Sequence, residues 1–485
     1  MRRRLTRNVL SNYLGFGVHT LVALLLTPFL INKLGSAQYG VWVLINALIA
    51  YFQLLEFGVT PSIIKFVSFH RAREEKNEVE AVVATALRFF GGLSLLTVPV
   101  IYLLSQVSPA AFNLEGVDKA VFSQTVAIAG LAAILAYFKR LFFAVIEGHQ
   151  RYDLVNLSSA SSAAIGAVFI ALSVMMGGGL RTLIVILAVQ TAYEVVFEIA
   201  VLTKVFGLSI GPSRYRGDLF KQISGYSYYA YLIDIAVNIS YKIDTAVIGV
   251  FLPMSSITVY AIATRIAGFL EKAANPLIDT FFPLASELHA EGDRESLQKL
   301  LVQGTRISVL VISPGLIMAY AYGPDLIRWW VGPEFVAESF PVLQIFLAVI
   351  FFSVFESTSS RILLGTGEVK FNARVSLVSA ATNLGLSLLL APKYGVVGVA
   401  LGTLVPSVAG NFLISPVYVC RLTGTSIPKF YTAAFSPSAL VLLIYLALEF
   451  ITNGFFPNRI ISFAFSGVFV LLATAAVFFK IKKDA

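Results

Sequence analysis

Cysteine is almost absent from this chain. Cys420 is the only one among 485 residues, so no internal disulfide can form, and with four histidines there is no Cys/His spacing that would hold a structural metal. Charge is also scarce: Asp, Glu, Lys and Arg together make up 13% of the sequence, against about 25% in soluble domains. That deficit excludes a soluble globular protein. Long polar stretches are missing too, so there is no room for the large extramembrane domain expected of a glycosyltransferase or polymerase. The glycines at Gly177, Gly178 and Gly179 are not followed by Lys-Ser/Thr and do not make a phosphate loop.

What remains is apolar. Residues of the AVILMFWYC set account for 57% of the chain, and the mean hydropathy is +0.82. A hydrocarbon core about 30 Å thick is crossed by roughly 20 helical residues. Apolar runs of that order, separated by charged or Gly/Pro punctuation, predict fourteen spans: 8–32, 40–66, 80–106, 120–146, 153–176, 181–204, 222–251, 256–286, 297–322, 339–360, 372–391, 395–420, 430–452 and 459–480. The fold class is therefore an all-α integral membrane protein. Met1-Arg2-Arg3-Arg4 resembles the start of a signal peptide, but the apolar run behind it is long and lacks a small-residue cleavage site, so it reads as a retained first helix.

An even number of spans puts both termini on one side. Placing them in the cytoplasm puts Arg2, Arg3, Arg4, Arg7, Arg71, Arg73 and most other connecting Lys and Arg residues on that side. The opposite face receives only Lys33, Lys119, Arg181, Arg328, Lys393 and Arg459. This is the positive-inside asymmetry of a multi-pass protein of the inner (cytoplasmic) membrane. It accounts for most of the +9 net charge and leaves no basic face for nucleic acid.

A short polar break after the first span, Leu34-Gly35-Ser36-Ala37-Gln38-Tyr39-Gly40-Val41-Trp42, returns in outline as Leu252-Pro253-Met254-Ser255-Ser256-Ile257-Thr258-Val259-Tyr260. A second match, Gly148 to Tyr152 against Gly367 to Phe371, has an offset that differs by one residue. The chain reads as a duplication: an amino-terminal lobe over 1–206 (spans 1–6), a cytoplasmic linker over 207–221, a carboxyl-terminal lobe over 222–421 (spans 7–12) and an extra helix pair over 422–485. Pro28, Pro61, Pro99, Pro276, Pro283, Pro314, Pro406 and Pro416 lie inside spans, where proline can bend a helix.

Eight basic residues lie within or at the edge of spans: Lys65, Arg88, Lys139, Arg140, Lys242, Arg265, Lys272 and Arg306. Isolated in lipid, each would cost several kcal/mol, so each faces water, an acid or a substrate. Arg265, Gly268, Lys272, Asn275 and Asp279 form one stripe of the eighth span. Asp234, Asn238, Tyr241 and Thr245 form another on the seventh, beside Lys242. Arg88 has apolar flanks and no acid within a helical turn, which suits a guanidinium that grips phosphate. The eight cations are candidate substrate-binding residues, with ion pairing and snorkelling as the alternative for each. Glu56, Asp234, Asp244, Glu194 and Glu198 are candidates for binding a coupling H⁺ or Na⁺, and Glu194 and Glu198 share one helix face.

These features resemble the polysaccharide and oligosaccharide-lipid flippases (O-antigen or exopolysaccharide exporter type) of the multidrug/oligosaccharidyl-lipid/polysaccharide transporter superfamily. The resemblance rests on Leu34-Gly35 with Tyr39-Gly40-Val41-Trp42, on Glu56-Phe57-Gly58, and on Lys242-Ile243-Asp244-Thr245-Ala246-Val247-Ile248-Gly249 leading into Val259-Tyr260-Ala261 and Thr264-Arg265-Ile266. Leu364-Gly365-Thr366-Gly367 adds to it. Pro253 and Thr258 depart from the glycines usual at those places. The resemblance implies a V-shaped pair of six-helix lobes that open alternately to either side, and no catalytic activity or cofactor beyond a coupling ion. It also implies an isoprenoid-diphosphate-linked glycan as substrate, with membrane lipids and glycan polymerase or export machinery as partners. The competing reading is a cation-coupled multidrug exporter of the multidrug and toxin extrusion type, which needs an acidic cavity.

Overall fold

The computed structural model describes residues 2–56, 59–211, 214–220, 242–452 and 459–484, and among these every regular element is helical. The chain divides into two compact units, Met1–Asn238 with Ile248–Thr258 and Ile239–Val247 with Val259–Ala485.

The first unit contains α1 (Arg2–Leu34), α2 (Ser36–Gln53), α3 (Val59–Ala72), α4 (Lys76–Ala111), α5 (Lys119–Gly148), α6 (Tyr152–Met175) and α7 (Leu180–Ala200). Helix α5 is its centre, packed against α2, α3, α4 and α7. It begins where Asp118 accepts hydrogen bonds from the backbone N–H groups of Ala120 and Val121 at 2.7 and 3.2 Å, capping donors that lipid could not satisfy. Its buried face carries Ala129, Gly130, Ala132, Ala133 and Ala136, small residues that let neighbouring backbones come close. Tyr137 on the same face donates to the carbonyl of Phe52 at 2.9 Å, where α2 gives way to a 3₁₀ turn, Leu54–Glu56. The expected second span is therefore broken in the middle, and the break turns Glu56 inward.

The expected linker packs against the start of α4. Arg216 pairs with Glu78 at 2.7 Å, Arg214 pairs with Glu80, and the Ser209 N–H donates to Glu80 at 2.9 Å.

The second unit contains the start of α8 (242–251) and then α9 (Met254–Ile278), whose first turn belongs to the first unit. It continues with α10 (Phe281–Ala290), α11 (Arg294–Ala321), α12 (Gly323–Trp330), α13 (Val336–Gly365), α14 (Val369–Pro406), α15 (Ser415–Thr423), α16 (Ile427–Thr452) and α17 (Arg459–Asp484). Helix α11 is central here, packed against α13, α16 and α17. Phe355 of α13 has five rings around it, Phe351, Phe412, Phe430, Tyr431 and Phe435, which bind α16 to the bundle. Tyr322 reaches Ser462 of α17 at 2.8 Å.

Eleven helical stretches among the described residues are long and apolar enough to cross a membrane. One of them, Val369–Thr423, holds two expected spans separated by a kink at Gly395, whose φ of 60 and ψ of −141 only glycine adopts readily. The expected seventh span lies mostly on 222–241, outside the described residues. The expected eighth is helical as α9 and α10 but is not among those eleven stretches.

Candidate functional site

The first unit holds an open cavity of about 500 Å³ between α2, α3, α5 and α7. Its polar lining comes from Asn46, Thr60, Lys139, Arg140, Glu147 and Thr191. Lys139 and Arg140 are neighbours on α5 and each is fixed from behind by a buried acid. The Lys139 ammonium is 2.5 Å from Glu194, and an Arg140 Nη is 2.8 Å from Glu56, which also accepts a hydrogen bond from Thr60 at 2.9 Å. The acids are 8% and 3% exposed and the cations 30% and 36%. Each pair therefore has its negative end in the protein and its positive end at the cavity. That arrangement holds an ammonium and a guanidinium in set positions before a ligand arrives.

Glu198, one helical turn beyond Glu194, differs from it. The side chain is 1% exposed and neither carboxyl oxygen has a hydrogen-bond partner among the described residues. An ionised carboxyl in such a place is expensive.

In the second unit Asp244 is buried among four oxygen- or amide-bearing side chains from two helices, α9 and α14. Thr403 donates to its Oδ2 at 2.6 Å and Tyr260 donates to the same oxygen; Ser387 and Asn383 donate to Oδ1 at 3.3 and 3.4 Å. The cluster forms because α8 and α9 present Asp244 and Tyr260 to a polar seam of α14, on which Asn383 and Ser387 are one turn apart and Thr403 lies beyond the Gly395 kink. Asn383 Oδ1 has no partner among the described residues. The sequence pointed to Asp244, and Tyr260 stood in a quoted motif, but Asn383, Ser387 and Thr403 were not singled out. The pair Asn383 and Ser387, at i and i+4 in an apolar helix, was the available signal.

The remaining candidates are spread more widely. Arg88 is exposed and its guanidinium lies 4.7 Å from the Tyr215 ring. Lys65 lies 5.7 Å from the Phe66 ring. Lys242 and Arg265 are half-buried and Lys272 is exposed. Arg306 is half-buried, with no partner for its Nε among the described residues. Asp279, on the predicted stripe, pairs with Arg361 of α13 at 2.7 Å. Asp234 lies outside the described residues. Of the eight cations, then, two line the cavity of the first unit. Among the described residues no group of three or more His, Cys, Asp or Glu side chains could hold a metal.

The fold and its deep charges define a multi-pass, all-helical membrane protein of the transporter type. The family described as "Polysaccharide biosynthesis protein" matches residues 5–289, more than half of the chain, and the chain belongs to that family. A second family, MatE, matches residues 230–389. Among curated proteins the chain is similar to a "Putative O-antigen transporter" of Shigella flexneri, 21% identical over 419 residues that cover 85% of this chain and 97% of that one. It is also similar to a "Probable flippase AglR" of Haloferax volcanii, 23% identical over 412 residues, covering 83% of this chain and 82% of that one. Among solved structures the fold matches the lipid II flippase MurJ in an inward closed conformation, with a TM-score of 0.74 at 14% identity over 97% of this chain and 99% of that one. It matches an inward-facing multidrug resistance MATE family transporter with a TM-score of 0.72 at 13% identity, over 84% of this chain and 96% of that one.

Proposed function

We propose that the protein moves an isoprenoid-diphosphate-linked oligosaccharide or polysaccharide precursor across the cytoplasmic membrane by alternating access of two lobes, with both termini in the cytoplasm. The observation that carries this reading is the pair of preset cations at one cavity wall, Lys139 and Arg140, each backed by a buried glutamate. A diphosphate is a compact polyanion, and a guanidinium beside an ammonium supplies directed and undirected attraction together. Glu147 on the same wall favours a ligand that also brings hydrogen-bond donors, as sugar hydroxyls do. Family membership in polysaccharide biosynthesis and relatives named as flippases and an O-antigen transporter support the same reading.

Transport against a gradient needs a coupling ion, and Asp244 is the best-furnished place for H⁺ or Na⁺. It offers one carboxylate among hydroxyl oxygens, the hard ligand type a small cation prefers, with the Asn383 amide N–H turned toward it. In this scheme Glu56 and Glu194 position cations, and Glu198 is left as a second proton-binding acid.

The test is reconstitution into proteoliposomes with a fluorescent polyprenyl-diphosphate glycan. Arg140→Gln and Lys139→Gln should each slow its appearance in the opposite leaflet by at least tenfold. Unchanged flipping in both variants, or transport of cationic dyes in place of the glycan lipid, would overturn the reading.

A further inference from the structure

The second unit has a cleft of its own that the proposed transport cycle does not yet use. It opens between α9 and α13, has a volume of about 190 Å³, and so has room for about six liquid waters, the scale of one sugar ring rather than of an oligosaccharide. Two facing stripes at helical spacing line it: Glu271, Asn275 and Ile278 on α9, and Ser353, Glu356, Ser357 and Ser360 on α13. Arg361 closes one end through its ion pair with Asp279 at 2.7 Å.

The hydrogen-bond capacity of these groups is only partly used. Ser353 donates to Glu271 at 3.3 Å, Ser357 donates to the Val354 carbonyl at 2.7 Å, and Ser360 accepts from Asn372 at 3.2 Å. The Arg361 guanidinium attracts the Glu356 carboxylate electrostatically, and the buried Nε of Arg361 has no acceptor among the described residues. The wall thus offers carboxylate acceptors, a guanidinium donor, a carboxamide and three hydroxyls within one small space. A planar carboxylate can accept from two adjacent hydroxyls, and a guanidinium can donate to ring or hydroxyl oxygens. A phosphate would meet two glutamates and be repelled. A lipid tail would leave the polar wall unsatisfied in a membrane protein, where no bulk water can compensate.

We propose that this cleft binds a single neutral saccharide ring, with Glu356 and Ser357 as its principal contacts. Its place in transport rests on the flippase reading: a sugar of the glycan would be held here, apart from the diphosphate site.

The experiment uses the full chain in lipid nanodiscs and saturation-transfer NMR with the methyl glycosides of glucose, galactose, N-acetylglucosamine and glucosamine as probes. Wild-type protein should transfer saturation to at least one neutral glycoside. Glu356→Gln and Ser357→Val should each cut that transfer at least fivefold with melting curves unchanged. No transfer from the wild type to any neutral glycoside, equal transfer from both variants, or transfer only to the cationic glucosamine glycoside would overturn the proposal. If glycosides bind but the glycan lipid is not flipped, the flippase reading falls and the saccharide cleft stands; the reverse result removes the cleft alone.

Discussion

Thr258 donates its hydroxyl to the backbone carbonyl of Ser36 at 2.6 Å. In the internal repeat Thr258 corresponds to Gly40 and Ser36 to Met254, and Gly40 lies against the carbonyl of Met254 so closely that a Cβ at position 40 would collide with it. Ser36 and Gly40 of one stretch therefore meet Thr258 and Met254 of the other pairwise. The chemistry differs at the two equivalent places. A hydroxyl makes the contact at 258, and bare backbone makes it at 40. This explains why Thr258 departs from the glycine expected there while Gly40 keeps it.

Gly40→Val should destabilise the protein by about 1–3 kcal/mol, the usual cost of forcing atoms into packed backbone. Thr258→Val should cost about 1 kcal/mol, the net worth of one hydrogen bond. Thermal unfolding in detergent checks the order, and a Gly40→Val protein as stable as the parent would contradict the close approach.

Removing one partner of the Arg140–Glu56 pair strands the other. Glu56→Gln should lower stability by about 1–3 kcal/mol, less than the ~3–5 kcal/mol of a fully buried pair, because 36% of the Arg140 side chain is exposed. The double variant Glu56→Gln/Arg140→Gln should regain most of that stability but not transport. Melting temperatures and flipping rates measured on the same preparations separate the two roles, and recovery of transport in the double variant would make the pair purely structural.

Much of this was legible in the sequence, for physical reasons. A bilayer demands runs of about 20 apolar residues, so most helices could be bounded by counting, and the break expected between 391 and 395 falls at the Gly395 kink. Pair choice across helices was not legible. Lys139 and Arg140 could have met substrate or acid, and only packing shows Glu194 and Glu56 behind them. The companions of Asp244 lie up to 159 positions away in the chain, beyond the reach of helical spacing. Arg88 looked free because no acid stood within a turn; its neighbour proved to be Tyr215, in a segment whose only sequence signal was its glycines and proline.

His149 caps α5 outside the spans, stacks on Phe206 with ring centroids 4.1 Å apart and donates from Nδ1 to the Val145 carbonyl at 2.8 Å. Burial, reinforced by nearby Arg71 and opposed by the Val145 bond, pushes its pKa below the ordinary 6.5. The unfolded chain therefore takes up this proton at a higher pH than the folded protein does. The stability His149 contributes is fully present above pH 6.5 and is lost as the pH falls through the lower folded value. His149→Gln should flatten that part of the stability–pH curve, and an unchanged slope below pH 6.5 would refute it.

Asp244→Asn keeps a group that can hydrogen-bond to Thr403, Asn383 and Ser387 but removes the charge. It should fold with a melting temperature near that of the parent while transport no longer responds to an imposed Na⁺ or proton gradient. Comparing initial rates with and without each gradient in proteoliposomes reads this out. Retained gradient dependence in Asp244→Asn would move the coupling site elsewhere.

The most direct measurement is leaflet exchange of a fluorescent polyprenyl-diphosphate glycan in proteoliposomes containing the purified chain, scored by protection of the probe from an external quencher. The account predicts protein-dependent exchange that drops at least tenfold in Arg140→Gln while the protein stays folded. Exchange equal to that of protein-free vesicles, or a rate that ignores Arg140, would contradict it.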